Sequence, residues 1–299
     1  EFTFDEIINY PTNLIREGYA FNGWKPKPER MPAKDTTVVA QWTAKQYTVT
    51  FDGNSGTPSK ASITVTYDST YSELPSAQRE GHNFDGWFTL RDGGTEVTNN
   101  TKVETAADHT LYAHWTVKNY TLTFKSGEET LKQETVDYNS SINYPDNPSK
   151  RGCTFAGWDQ NLEWMPAQDT IITALFTPNK YTVIFDENGG DALGEVDKTK
   201  EVAFDSLYGE LPTPTRAGHN FTGWLDNETS AIITEDTVVN ITDNQTLYAQ
   251  WAINSYNVTF VNDGVIVKED TLNYGEEIAF PPEPVKEGHN FSGWVADVT

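Results

Sequence analysis

A seven-residue pattern, Gly-x-x-Phe-x-Gly-Trp, recurs five times along the chain. Its fixed residues are Gly18, Phe21 and Trp24; Gly81, Phe84 and Trp87; Gly152, Phe155 and Trp158; Gly218, Phe221 and Trp224; and Gly288, Phe291 and Trp294. Self-similarity of this kind is the signature of an array of small units and argues against one large core. An aromatic residue stands fourteen positions before each leading Gly, at Phe4, Tyr67, Tyr138, Phe204 and Tyr274.

Upstream of that aromatic, Tyr47–Phe51, Tyr120–Phe124, Tyr181–Phe185 and Tyr256–Phe260 alternate apolar and polar residues. Period-two runs of this length predict strands with one buried face. Downstream, Thr110–Trp115 and Thr246–Trp251 read as closing strands, matched more loosely by Val38–Trp42 and Ile171–Phe176. Modules are therefore expected at 1–42, 47–115, 120–176, 181–251 and 256–299, with the first and third shorter after the motif Trp than the second and fourth. Four residues separate each closing aromatic from the next opening Tyr, which favours restricted bending over freely jointed beads. The first copy lacks an opening strand and the last a closing one, so a segment of a longer chain is expected.

In the second copy, strands are expected near 47–52, 61–67, 82–88 and 110–115, with a short helix or turn around Ser69–Leu74. Pro11, Pro75, Pro145, Pro212 and Pro281 should stop any helix at that place. The stretches Asp52–Gly56 and Asp186–Gly190 suit hairpin turns. Phe84 and Trp87, three apart, would face opposite ways in a regular strand, and a bulge at Gly86 would bring both rings into one core. That core is expected to hold Tyr47, Val49, Phe51, Ile63, Val65, Tyr67, Leu74, Phe84, Leu111 and Trp115.

The chemistry open to the chain is narrow. With 44 acidic against 21 basic residues and a formal charge of −23, it lacks the basic footprint that nucleic acid requires. No run approaches the roughly 20 apolar residues of a bilayer-spanning helix, so no membrane insertion is expected within the segment. Cys153 is the only cysteine, no Cys/His cluster has zinc spacing, and no metal or cofactor is expected.

Phe-Asp-Glu-Asn-Gly-Gly at 185–190, the aromatic fourteen before Gly, Gly-His-Asn-Phe-x-Gly-Trp and Thr-Leu-Tyr-Ala-x-Trp together resemble the internalin B-repeat family, also called the Listeria-Bacteroides repeat. The resemblance spans nearly the whole chain and is most specific at 47–115 and 181–251. It implies a mainly β (α+β) class, with tandem β-grasp, ubiquitin-like modules in an elongated array. It also implies an extracellular or cell-surface stalk or spacer, with adhesion in some members. The partners it implies are neighbouring modules and a glycan or host-surface protein.

The copies serve as an internal alignment against which candidate sites are weighed. The position after the motif Gly is His82, His219 and His289 in three copies but Tyr19 and Cys153 in the others, which favours packing over catalysis. His109 and His114 correspond to Gln245 and Gln250 in the other long copy. Asp52 and Asp186 lack the distal Glu of a calcium loop, and the short copies carry Lys125 and Val261 there. Adjacent acidic residues such as Glu128–Glu129 and Glu276–Glu277 read as solvated surface rather than glycosidase carboxylates. No nucleophile elbow or phosphate loop is present, so no catalytic residue is assigned. The motif Trp, present in every copy, suits core structure. Tyr112 and Tyr248 alternate with inward residues and are the candidates for an outward sugar-stacking platform. Asn-x-Ser/Thr sequons stand at Asn99, Asn119, Asn139, Asn220, Asn227, Asn240, Asn244, Asn257 and Asn290, acceptors for glycans only in a glycosylating host.

Overall fold

The computed structural model describes residues 1–195 and 197–296. Within the spans expected for the fourth and fifth copies, residue 196 and residues 297–299 thus lie outside the described ones. The described residues form strands, turns and extended chain, and no helix. They divide into two compact units, one comprising Glu1–Asp146 with Trp158–Thr173 and the other Asn147–Gly157 with Ala174–Thr299.

In the first unit, the second copy forms a five-stranded sheet in the order Ser62–Thr66, Gln46–Asp52, His109–Val117, His82–Phe88 and Glu96–Val97. The opening and closing strands lie side by side and parallel, Val49 opposite His109 and Asp52 opposite Tyr112, while the flanking strands run antiparallel. A parallel pair requires a crossover, and here everything between the two strands supplies it. Alternation turns Val49, Phe51, Leu111 and Ala113 onto one face, where they are buried with Val65, Tyr71, Ala77, Trp87, Val97 and Val103. Tyr47, Ile63, Leu74, Phe84 and Trp115 close the edges of this core.

The register slips between Phe84 and Gly86, where Gly86 has φ +135°. This bulge places Phe84 and Trp87 in edge-to-face contact, ring centroids 5.4 Å apart, in the same core. The first copy contributes an antiparallel pair, Tyr19–Lys25 with Val39–Ala44. In the third copy, Asn119–Ser126 pairs with Glu129–Asp137 and runs parallel to Thr170–Pro178 over a core of Leu122, Phe124, Ile142, Met165 and Ile172.

The second unit repeats the design. Its five-stranded sheet runs Thr199–Ala203, Lys180–Asp186, Gln245–Ile253, His219–Asp226 and Ala231–Ile233, with Val183, Phe185, Trp224, Val239 and Leu247 among the buried residues. The fifth copy contributes the hairpin Ser255–Asn262 with Val265–Asn273.

Three sequence expectations require correction. Of the short helix or turn expected around Ser69–Leu74, the helix is not formed: a turn at Tyr67–Asp68 leads through an isolated bridge, Thr70 to Lys102, into extended chain. The described fold is mainly β, as expected; it contains no helix, so the α+β part of that expectation and the helix that a β-grasp carries across its sheet are absent among the described residues. Too few residues lie between the turn and Pro75 to repay the cost of nucleating a helix. The four-residue linkers shrink to one residue, because the closing strand ends at Val117 and the next begins at Asn119. Finally, Tyr67 does not belong to the core of the second copy, but packs on the copy before it.

Candidate functional site at the repeat junctions

Each junction is built from three residues. The single residue between strands, Lys45, Lys118, Asn179 or Asn254, donates its N–H to the carbonyl of the preceding motif glycine, Gly18, Gly81, Gly152 or Gly218, at 2.8–2.9 Å. Its own carbonyl accepts the N–H of the aromatic at the start of the next turn, Tyr67, Tyr138, Phe204 or Tyr274, again at 2.8–2.9 Å. The ring of that aromatic then lies flat on the glycine.

A Cβ at Gly18, Gly81, Gly152 or Gly218 would fall 2.2, 2.1, 2.2 or 2.0 Å from the nearest ring carbon. The same glycines have φ of +73°, +65°, +69° and +69°, a region that L-residues with a side chain enter at a cost. Space and backbone thus demand glycine independently. The residue after the glycine completes the contact: Tyr19 on Tyr67, His82 on Tyr138 and His219 on Tyr274 meet edge to face at 5.5, 5.9 and 6.3 Å. His82 and His219 each donate Nδ1–H to a backbone carbonyl, of Glu80 and Ala217. His289 bonds Glu287 in the same way, and Gly288 has φ +77° with nothing near its Cβ position.

The charges around the junctions differ between copies. At the first, Tyr19 donates to Asp68 at 2.5 Å, Lys102 pairs with the same carboxylate, and Arg16 stacks over Tyr19. Hydrogen bonds from Lys102 and Tyr19 hold the Asp68 carboxyl below its ordinary range and raise both partners. At the third, Arg151 donates to the side-chain oxygen and the carbonyl of Asn240.

The remaining motif residues serve the cores. The indole N–H of Trp24, Trp87 and Trp224 donates to the carbonyl of Pro11, Pro75 and Pro212 at 2.9, 2.7 and 2.8 Å. Phe21, Phe221 and Phe291 meet Trp24, Trp224 and Trp294 at 5.7, 5.4 and 5.4 Å. Trp158 packs on Phe124, and Phe155 on Phe176. Trp115 and Trp251 donate to the carbonyls of Gly53 and Glu187, stapling the first hairpin turn to the closing strand. Asp52 and Asp186 each accept the N–H two residues on, from Asn54 and Asn188, whose amides reach the carbonyls of Ala113 and Ala249.

His109 accepts the hydroxyl of Tyr71 at 2.8 Å, and Gln245 accepts that of Tyr208. Burial pushes both phenols up. Tyr112 and Tyr248 are half-buried; Tyr112 sits opposite Phe88 with Arg91 over its ring, while Tyr248 sits opposite Leu225 in the wall of a cleft. Among the sequons, Asn119, Asn139, Asn220, Asn227, Asn257 and Asn290 are exposed. Asn99 and Asn244 are also at the surface but accept the N–H of Leu74 and of Thr182. The junction aromatics are the joint residues that the sequence reading left unassigned, apart from Tyr67, which it placed in the core of its own copy. Their constant distance from the Gly of their own copy hid that each one packs on the Gly of the copy before.

Recurring all-β sheets, three of them over hydrophobic cores of their own, with a stereotyped joint between successive copies, define a tandem-repeat protein. The sequence model of the Listeria-Bacteroides repeat domain matches residues 1–41, 47–114, 120–176, 181–250 and 256–299, and the chain belongs to that family. It is 31% identical over 319 aligned positions to a protein of Evansella cellulosilytica named as a Gly-rich membrane protein, covering 98% of this chain and 36% of the relative. A second protein of that organism, named as a membrane protein, is 32% identical over 276 positions, covering 86% of this chain and 40% of its own. Internalin H of Listeria monocytogenes is 31% identical over 186 positions, covering 57% of this chain and 32% of its own. The chain therefore spans about a third to two-fifths of these relatives. No helix among the described residues is long and apolar enough to cross a membrane.

Proposed function

We propose that this chain is a non-enzymatic spacer of a cell-surface protein, whose repeats set a distance outside the cell and contribute weak multivalent contacts. The observation that carries this reading is the fourfold recurrence of one joint: a single connecting residue, two backbone hydrogen bonds and a ring laid on a glycine. Such a joint restricts the torsions available between neighbours, whereas a flexible linker lets the end-to-end distance fluctuate with the root of its length. The charge of −23 supports the reading, since like-charged arrays repel one another and stay separate. The names of the relatives, membrane proteins and an internalin, support placement at the surface. Repetition would let weak glycan or protein contacts add through effective concentration.

Small-angle scattering of the whole chain tests the proposal. An elongated particle whose maximum dimension is insensitive to salt is the expected result. A compact globule, or a dimension that swells as salt is withdrawn, overturns it.

A further inference from the structure

We propose that a cleft at the third junction, framed by Arg151 of the third copy and Asp226, Asn240, Asn244 and Tyr248 of the fourth, binds a neutral, hydroxyl-rich glycan. The cleft has a volume of about 570 Å³, within the range of small-ligand sites. It goes beyond the spacer reading and does not depend on it.

The internal alignment singles this cleft out. Counting from the motif Trp, Asp226 takes the place of Thr89; after the buried valines Val103 and Val239, Asn240 takes the place of Glu104. Immediately before the motif Gly, Arg151 stands where the other copies have Glu17, Glu80, Ala217 and Glu287. These three departures are scattered through the sequence and line one cavity.

The polar groups are held in place and only partly used. Asp226, 5% exposed, accepts the N–H of Glu228 at 3.0 Å and the hydroxyl of Thr229 at 2.5 Å. Each oxygen retains a further lone pair. The Asn240 side-chain oxygen is taken by Arg151 and that of Asn244 by the Thr182 N–H, which leaves both NH₂ groups without a partner among the described residues. Carboxylate acceptors and amide donors lining one cleft suit a hydroxyl, which gives one hydrogen bond and takes another. Tyr248 supplies an apolar wall against which a sugar face can lie.

The charge pattern selects against anionic ligands. Asp226, Glu228 and Asp243 line the cleft against a single guanidinium, itself engaged by Asn240, so an anion meets net repulsion. No group of three or more His, Cys, Asp or Glu suited to a metal occurs among the described residues.

The test is ligand-observed NMR with the whole chain and soluble tetrasaccharides of neutral hexoses (malto-, cello- and manno-), with sialyllactose as the anionic comparison. At least one neutral probe should bind. The triple swap R151E/D226T/N240E, which gives the cleft the residues the first junction already tolerates, should weaken it at least about tenfold, a change of about 1.4 kcal/mol. Tyr248→Ala should weaken it similarly, whereas Tyr112→Ala, at the matching place in the second copy, should leave it unchanged. Retained amide protection of Leu247 shows that the swapped copy is still folded. The proposal fails if no neutral probe binds at about 10 mM, where a site of ~1 mM would be nearly filled, if binding survives the swap, or if sialyllactose alone binds. The scattering profile reports on the spacer reading separately, so failure of one is distinguishable from failure of the other.

Discussion

At Gly81 the chain leaves no room for a side chain, and the same is true at Gly18, Gly152 and Gly218. Gly81→Ala should cost about 1–2 kcal/mol from the backbone alone, plus whatever movement of Tyr138 is needed to admit the methyl. The loss should be local. Hydrogen exchange at the Lys118 and Tyr138 amides should accelerate while Val49 and Leu111, inside the second core, keep their protection; uniform acceleration would place the glycine in the core instead. The motif Trp should behave in the opposite way. Trp224 is 1% exposed and bonded to Pro212, and Trp224→Ala should cost about 3–5 kcal/mol. That loss should appear as exposure of Val183 and Leu247 to exchange. A cost under about 1 kcal/mol would remove Trp224 from the core.

Elements were the most legible level of the sequence. Alternation at Tyr47–Phe51 and Tyr181–Phe185 predicts strands that the structure contains, because a buried face writes itself into every second residue. Gly86 announced its bulge for a similar reason, since two rings three apart cannot share a face in a regular strand. Tyr67 was misread because a constant spacing within an array fits a contact in the same copy or in its neighbour equally well. Between helix and turn at Ser69–Leu74 the sequence left the choice open, because a short stretch ahead of a proline has weak local preference, and tertiary bridges decide its path. Arg151, Asp226 and Asn240 were invisible as a group, being distant in sequence and each unremarkable alone.

One junction should also respond to pH. Asp68 has its carboxyl depressed by Lys102 and Tyr19, so its contribution is full above the pKa of an unfolded Asp and is lost as pH falls through the lower folded value. Tyr19 and Lys102, raised, act oppositely and only in strong alkali. As pH falls below about 4, the value of an unfolded Asp, exchange at the Tyr67 amide, corrected for its intrinsic rate, should speed up. Asp68→Asn should flatten this dependence, and an unchanged pH profile in that variant would show that Asp68 is not the group responsible.

For the whole molecule, the account rests on neighbouring copies being separate cores held by a stiff joint. Neither half follows from composition, since the same residues could build one mixed core. Within the first unit, Lys60 in the second copy and Glu128 in the third are exposed and lie on either side of the Gly81–Tyr138 joint. In a C153S background, spin labels at K60C and E128C report the distance across that joint by pulsed electron resonance. The account predicts a single narrow distribution that broadens in Gly81→Ala while both copies stay folded. A distribution already broad in the parent, and unchanged by the alanine, would contradict it.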